Sequence, residues 1–266
     1  MVTNTKFEHP NVGEIRPSQL LYTFGIGSVV DLPNISVMVM GLDDWPFDHL
    51  QPIEEERLLA AVQRQPGLQN VQTLRLPPIS PDTEGLPSPF DESSLIGVPV
   101  SPFPRWMRCP YCNLLSPIPS PLFELKSDPY YPERTKYVHV NCRRPGKPPT
   151  VLPARFLVAC ENGHIDDFPW LYYVHGGPSP CRGPLQLREI GVSGAASDIL
   201  IECEGCDTSR SMAQAFEKNQ GSNFPACRGR HPHIRHSSEK QCMASVQPIT
   251  LGASNNWFPS TITVLS

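Results

Sequence analysis

The amino-acid sequence predicts an α+β fold of short strands and few helices, irregular and proline-rich, stapled by cysteine sites of the zinc-ribbon type. Three observations support this prediction. Proline supplies 32 of the 266 residues, more than twice the usual share of roughly 5%, so long regular elements should be scarce. Short apolar runs are punctuated by glycine and proline, as short strands are. Finally, the nine cysteines include two pairs with C-x-x-C spacing.

Residues 1–67 are predicted to form a small α+β unit. The runs LYTFGIGSVVDL and SVMVMGL indicate short strands. The run QPIEEERLLAAVQRQPG predicts a helix with Glu54 to Glu56 near its positive end and Arg64 near its negative end. A proline precedes this helix and Pro66 and Gly67 end it.

Residues 68–105 are predicted to be a proline-rich, extended connector. Repeated prolines in PPISPDTEGLPSPFDESS and VPVSPFP remove backbone donors and exclude a helix or a central strand. Several apolar residues suggest that this segment packs against the protein as an extended wrap: Leu86, Phe90, Leu95, Ile96 and Phe103.

Residues 106–266 are predicted to form a cysteine-rich, zinc-binding region. Strands are expected in ARFLVAC and DILIEC. A helix is expected in DDFPWLYYVHGG, with Asp166 or Asp167 as its cap, and another in TSRSMAQAFEKNQG, with Thr208 or Ser209 as its cap.

The expected compartment decides how the cysteines are interpreted. The N-terminus does not resemble a signal peptide, and no run of about 18 apolar residues occurs, so we expect a soluble, cytoplasmic protein. Thiols stay reduced in that compartment, so nine cysteines favour metal binding or catalysis over disulfides.

The two C-x-x-C pairs are Cys109 with Cys112 and Cys203 with Cys206. Such a turn directs two thiolates at one tetrahedral zinc ion about 2.3 Å away. Two pairs predict about two zinc ions per chain, and each site needs two more ligands. In chain order the candidates are Cys142 and Cys160 for the first pair, with His164 as a substitute for Cys160, and Cys227 and Cys242 for the second, which leaves Cys181 unassigned.

Two enzymatic or redox alternatives stay open. Cys109-Pro-Tyr-Cys112 has the sequence of a thiol redox centre, but such a centre needs a following helix, and the prolines of NLLSPIPSPL oppose one. His164, Asp166 and Asp167 could form the centre of a metal-dependent nuclease or other hydrolase. Helix capping by the two carboxylates is the simpler interpretation.

Other catalytic motifs are incomplete. The segment FGIGS has neither the third glycine of a dinucleotide loop nor the lysine of a Walker loop, and G-x-S-x-G does not occur. We therefore expect no catalytic residues and no small-molecule substrate.

Charge is strongly segregated along the chain, although the net formal charge is only −4. Residues 42–92 carry ten acidic and three basic residues, whereas residues 134–155 carry six basic residues and no acidic one. Basic loop residues could contact nucleic-acid phosphates, and the alternative is a solvated loop beside a zinc site. The candidates are Arg143, Arg144, Lys147, Arg228, Arg230 and Arg235.

Several long strings resemble one known family. RPSQLLYTFGIGSVVDLPNISVMVMGLDDW, PRWMRCPYC, PARFLVACENGHIDDFPW, CEGCDTSRSM and LGASNNWFPS are similar to the DrmB family of DISARM anti-phage systems, and the similarity spans nearly the whole chain. The resemblance implies a non-catalytic partner of a large helicase, DrmA, in a heterodimer that binds DNA. It also implies zinc ligation by Cys109, Cys112, Cys203 and Cys206 with the later single cysteines. Family members are longer, so the cysteine-rich region is expected to continue into a further C-terminal part.

Overall fold

A computed structural model describes residues 10–78, 88, 91, 96–191, 194–217, 224–238, 241–253 and 257–265. In this part of the chain the helices are few and the strands short, which confirms the predicted α+β class. The α-helices are α1 (Pro17–Tyr22), α2 (Glu56–Gln63) and α3 (Trp170–Val174). The strands are β1 (Val29–Asp31), β2 (Ser36–Val39), β3 (Pro52–Ile53), β4 (Leu74–Arg75), β5 (Val100–Pro102), β6 (Trp106–Arg108), β7 (Leu114–Pro117), β8 (Phe123–Lys126), β9 (Lys136–His139), β10 (Leu152–Pro153), β11 (Phe156–Cys160), β12 (Ile165–Asp167), β13 (Leu185–Glu189), β14 (Ile199–Cys203), β15 (Ser209–Ser211), β16 (Arg230–His231), β17 (His236–Ser237) and β18 (Val246–Thr250).

The strands form small antiparallel sheets. The largest has six strands in the order β10-β6-β7-β13-β14-β15, and two sheets have three strands each, β1-β2-β5 and β12-β11-β18. Three further pairs are β3-β4, β8-β9 and β16-β17. Because prolines interrupt the chain so often, these sheets are held together by packing and loop contacts more than by long ladders.

The principal core lies around helix α3. Trp170, Tyr173 and Phe168 are almost completely buried and pack against inward-facing residues of β13 and β14. The Tyr173 hydroxyl donates a hydrogen bond to the Ser211 carbonyl at 2.6 Å, which ties α3 to the sheet edge. A helix of five residues has little intrinsic stability, so these buried aromatic side chains stabilise it.

Strand β2 connects the N-terminal segment to the cysteine-rich region. All four of its residues are buried; Val37 packs in one core with Met107 and Cys109, and Met38 packs in another with Leu157. Both faces of the strand pack against hydrophobic cores, which explains why its residues 37–39 are all apolar.

The glycines of the FGIG segment provide room for the chain's C-terminal part. A Cβ atom at Gly25 would lie 2.6 Å from the Trp257 ring, so only glycine fits there without a shift. The Trp257 indole donates a hydrogen bond to the Ile26 carbonyl at 3.1 Å. The close approach of the Trp257 ring explains why residue 25 is a glycine. A phosphate-binding role is not needed to explain it.

Helix α2 confirms the predicted helix and begins at Glu56, where Glu55 accepts a hydrogen bond from the backbone N–H of Arg57. The predicted caps of the second helix are wrong. Asp166 and Asp167 end strand β12, and α3 begins after Pro169 with no side-chain cap. The carboxylates bind arginines instead of the helix N-terminus.

The third predicted helix, from Thr208 to near Gly221, begins later than predicted and is a 3-10 helix instead of an α-helix. Strand β15 is followed by a 3-10 helix at Met212–Phe216, where the Ser211 hydroxyl accepts from the Ala213 N–H. Pairing with β14 holds this segment extended and outweighs its helical pattern. The remainder of that prediction, residues 218–221, lies outside the described residues.

The structure describes only part of the predicted connector, residues 68–105. Leu86, Phe90 and Leu95 lie outside the described residues. Strand β5 pairs with β2 at the margin of a three-stranded sheet, and Phe103 is buried beside Met38 and Leu157. The boundaries at residues 67 and 105 stay predictions. In the described part of the chain, no helix combines the length and apolar character needed to cross a bilayer.

Candidate metal centres

Three groups of four side chains bring all nine cysteines together with three histidines. In each group the potential ligand atoms lie within 4.8 Å of one another, so each could hold a metal ion. We call them cluster 1 (Cys109, Cys112, His139, Cys142), cluster 2 (Cys160, His164, Cys227, Cys242) and cluster 3 (His175, Cys181, Cys203, Cys206).

Cluster 1 is built by two β-hairpin segments. The turn after β6 carries Cys109 and Cys112, and His139 ends β9 three positions before Cys142. The Cys109 and Cys142 sulfurs are 3.8 Å apart, and the Cys112 sulfur is 3.5 Å from His139 Nδ1. Cys109 is completely buried in the core that contains Val37. The cluster therefore continues the hydrophobic core.

Cluster 2 joins strand β11 to the loop that precedes β18. Within this group the Cys160 sulfur lies 4.0 Å from Cys242, 3.6 Å from Cys227 and 3.3 Å from His164 Nδ1. His164 Nε2 lies 2.9 Å from Ser238 Oγ. If Nδ1 ligates a metal ion, Nε2 carries the ring proton and donates it to Ser238 Oγ. A metal-binding histidine is normally oriented by such an outer hydrogen bond.

Cluster 3 lies next to helix α3 and contains the second C-x-x-C turn. The Cys181 and Cys203 sulfurs are 3.5 Å apart. His175 Nδ1 donates to the Leu171 carbonyl at 2.6 Å. Its Nε2 is buried and has no hydrogen-bond partner among the described residues. A buried nitrogen lone pair beside three sulfurs is what a metal ligand requires.

The interatomic distances distinguish a metal centre from disulfides. A tetrahedral zinc ion with bonds of about 2.3 Å to sulfur and about 2.0 Å to nitrogen separates two sulfurs by about 3.8 Å and a sulfur from a nitrogen by about 3.6 Å. The closest sulfur–sulfur contacts in the three clusters are 3.5–4.0 Å, and the closest sulfur–nitrogen contacts in clusters 1 and 2 are 3.3–3.6 Å. A disulfide needs about 2.05 Å, and all nine cysteines are free.

Both C-x-x-C turns have the same backbone geometry. The residue after each pair has a positive φ, 60° at Asn113 and 54° at Asp207. Asn and Asp adopt this conformation more readily than other non-glycine residues. It turns the chain back, so that the second cysteine of each pair faces the first.

The surroundings of the thiols vary from cysteine to cysteine. Burial raises the pKa of Cys112 to about 12 and of Cys227 to about 11. A hydrogen bond from the Asn162 side chain lowers the pKa of Cys242 to about 6, and one from the Thr208 hydroxyl lowers that of Cys206 to about 6. The last two provide thiolates readily, whereas the buried thiols need a cation to deprotonate them.

The ligand grouping expected from sequence needs correction in three places. The structure places Cys160 with His164 in cluster 2, far from its expected partners Cys109 and Cys112, and it places Cys227 and Cys242 there instead of with the second pair. Cys181, unassigned in the sequence, joins cluster 3. His139 and His175 were missed. The spacing His139-x-x-Cys142, which mirrors C-x-x-C, is the signal that could have identified His139.

The carboxylates of Asp166 and Asp167 form ion pairs with arginines. Asp166 accepts from Arg228 Nη2 at 2.5 Å and from Arg230 Nη1 at 3.1 Å. Asp167 accepts from the backbone N–H of Arg105 at 2.7 Å and from its Nε at 2.8 Å. His164 faces three sulfurs instead of either carboxylate. The structure therefore does not bring these three residues into one hydrolytic metal site.

The six basic candidates fall into two sets. Arg228 and Arg230 bind Asp166, and Arg235 binds Asp44 through contacts of 2.6 and 2.7 Å. The residues of the second set are exposed, and none forms an ion pair with a described acidic residue: Arg143, Arg144 and Lys147.

A family comparison accounts for most of the chain. Residues 16–258 match the family described as "Domain of unknown function (DUF8724)". The chain belongs to this family. Its matched range contains all three clusters, so the candidate metal centres lie within the family domain.

A curated relative gives this family domain a biological context. The chain is 31% identical over 164 residues to a protein named "DISARM protein DrmB" from Bacillus paralicheniformis (strain ATCC 9945a / NCIMB 11709 / CD-2). The aligned part is 61% of this chain and 27% of that protein. The resemblance to DrmB found in the sequence is thereby confirmed, and the aligned part of the chain covers about a quarter of that relative's length.

Proposed function

We propose that this protein is a zinc-binding, non-catalytic accessory subunit of a DISARM anti-phage system that pairs with a helicase and helps it to bind DNA. The similarity to DISARM protein DrmB carries the proposal. The helicase partner and the DNA follow from the DrmB resemblance. The three clusters supply the structural part of the proposal.

Zinc is the metal that the donor sets favour. Each cluster offers three cysteines and one histidine, a combination typical of structural zinc sites. Four protein ligands complete a tetrahedron, so no coordination position remains for water or substrate. The clusters therefore support a structural role for zinc. The Cys109–Cys112 turn leads into strand β7, not into the helix that a thiol redox centre needs.

The purified protein is expected to contain three zinc ions per chain. Native mass spectrometry before and after acid denaturation counts them. Cys206→Ser should lower the count to two, because Cys206 is the exposed ligand of cluster 3 and the other clusters share no residue with it. His49→Ala, at an exposed histidine outside the clusters, should keep three. Two ions in the unaltered protein would contradict the proposed grouping.

Arg143, Arg144 and Lys147 are the proposed DNA contacts. Their charges are not neutralised by any described carboxylate, and Cys142 in cluster 1 directly precedes them. The metal would therefore fix the base of this loop while its cationic side chains stay in solvent. Arg228, Arg230 and Arg235 would have to give up their contacts with Asp166 and Asp44 to bind phosphate.

Replacing these three loop residues with alanine is expected to weaken DNA binding and flatten its salt dependence. The protein would be co-purified with the helicase of its own system, and the affinity of the complex for labelled DNA measured at several salt concentrations. Each lost contact should reduce the slope of log K against log[salt] by about 0.9 on duplex DNA. The control removes the exposed Arg16, Arg57 and Arg64, an equal charge, and should keep the slope. An unchanged slope in the loop variant would assign these residues to solvent.

A further inference from the structure

An exposed aromatic ring lies at the centre of the first C-x-x-C turn. Tyr111 is 52% exposed, although Cys109, two positions earlier, is completely buried. Metal binding requires only the two cysteines of this turn. The ring of Tyr111 contributes little to the core and is presented to solvent by a turn whose first cysteine is completely buried.

The basic loop lies beside this ring. The Arg144 guanidinium carbon is 5.8 Å from the centre of the Tyr111 ring, within the range of a cation–π contact. Arg143 and Lys147 are exposed on the same loop. Cys112 and Cys142 belong to the same cluster, so one metal ion would hold the aromatic turn and the basic loop next to each other.

The second C-x-x-C turn shows that a metal-binding turn in this protein does not need such a surface. Its two central residues are Glu204 and Gly205, so it carries an acidic side chain and no ring. Gly205 packs against Gly183, where a Cβ atom would lie 2.8 Å from the neighbouring Cα. The glycine lets that turn pack closely against the chain, whereas the first turn presents a tyrosine beside the cationic side chain of Arg144.

We propose that Tyr111 is a stacking platform for a base of single-stranded DNA, with Arg143, Arg144 and Lys147 binding the phosphates on either side. The proposal rests on the DNA-binding function proposed above and names the form of DNA that this surface recognises. In a duplex the faces of the bases are covered by their neighbours, so an exposed ring can stack only on an unpaired base. The cationic side chains supply the charge that follows a flexible backbone.

Tyr111→Ala tests the ring separately from the charge. Binding of a fluorescein-labelled oligo(dT) and of a duplex of equal length is measured by anisotropy with the zinc-loaded protein co-purified with the helicase of its own system. Stacking of one base contributes about 1–3 kcal/mol, so affinity for the single strand should fall about 5- to 150-fold. The duplex affinity and the salt slope should stay unchanged. Tyr111→Phe, which keeps the ring, should retain binding.

Two controls make the result decisive. Tyr22→Ala removes a tyrosine of similar exposure, 61%, from helix α1 and should leave binding unchanged. The zinc count of every variant shows that cluster 1 is intact. An equal loss on single-stranded and duplex DNA, or no loss at all, would overturn the stacking proposal while a normal salt slope keeps the DNA-binding function. If the complex with the unaltered protein bound neither DNA, both proposals would fail.

Discussion

Removing the metal ions from this protein is expected to unfold its cysteine-rich region in a cooperative step. Far-UV circular dichroism during titration with a zinc chelator should show loss of strand signal in parallel with zinc release. Binding of zinc to a structural site contributes roughly 10–16 kcal/mol at neutral pH. This is comparable to the entire stability of a typical domain, roughly 5–15 kcal/mol, so the folded region should not survive the loss.

The connectivity of the clusters explains why the effect should be cooperative. Cluster 2 joins residues 82 positions apart, Cys160 and Cys242, and cluster 1 joins residues 33 positions apart, Cys109 and Cys142. A metal ion in each cluster would close a loop that short strands and a five-residue helix cannot close alone. Without the ion, the buried thiols would remain as polar groups that lack ligation within a small core.

Single substitutions should follow the burial of the ligand. Cys109→Ser places a hydroxyl at a completely buried position shared with Val37 and Met107, and it should reduce the melting temperature far more than Cys206→Ser at the exposed edge of cluster 3. His49→Ala serves as the control outside the clusters. Full secondary structure after confirmed removal of zinc would show that the clusters do not stabilise the fold as described.

Local sequence patterns predicted the fold class because the decisive signals are local. The apolar run of β2 and the charged ends of α2 depend on residues within one element, and the structure has both. The segment after Thr208 has equally good helical periodicity, yet β15 forms there. Its conformation depends on β14, a strand that only the folded chain brings alongside. No local pattern contains that information.

The sequence predicted that cysteine-rich metal sites exist, but it did not predict which residues belong to each cluster. Nine cysteines with two C-x-x-C turns indicated metal binding, because short spacing fixes two ligands at once. Which distant cysteine completes a cluster depends on chain topology. Cys160 ends β11, which pairs with β18, so the loop before β18 places Cys242 beside it. The pair Cys109 and Cys112 belongs to another cluster. Histidines are the harder ligands to find, since His175 has no cysteine at two-residue spacing and is positioned by α3.

The same limit applies to Asp166 and Asp167. Their position before a proline and a run of aromatic residues resembles a helix cap, and their proximity to His164 in sequence resembles a metal site. The arginines that occupy them come from elsewhere in the chain: Arg105 precedes β6, and Arg228 directly follows Cys227. In the folded chain Asp166 links β12 to the segment after Cys227, and Asp167 links β12 to the residue before β6.

Replacing these carboxylates is expected to destabilise the protein without changing any hydrolytic background. Asp166 and Asp167 have only 10% and 4% of their side chains exposed. Breaking a fully buried pair costs roughly 3–5 kcal/mol. Because Arg105 and Arg228 are 44% and 59% exposed, we expect about 2–3 kcal/mol for Asp166→Asn or Asp167→Asn. The melting temperature should fall by about 4–12 °C.

The exposed Asp43 provides the matched control, since Asp43→Asn removes the same charge from the surface and should change stability by no more than about 0.5 kcal/mol. Phosphodiester hydrolysis with added divalent cations is measured on all three variants. A hydrolase centred on His164 requires that Asp166→Asn abolish cleavage while the melting profile stays unchanged. The ion pairs with Arg105, Arg228 and Arg230 require the reverse, because a carboxylate that binds guanidinium groups on both oxygens orders the loop after Cys227 and has no lone pair directed at a substrate.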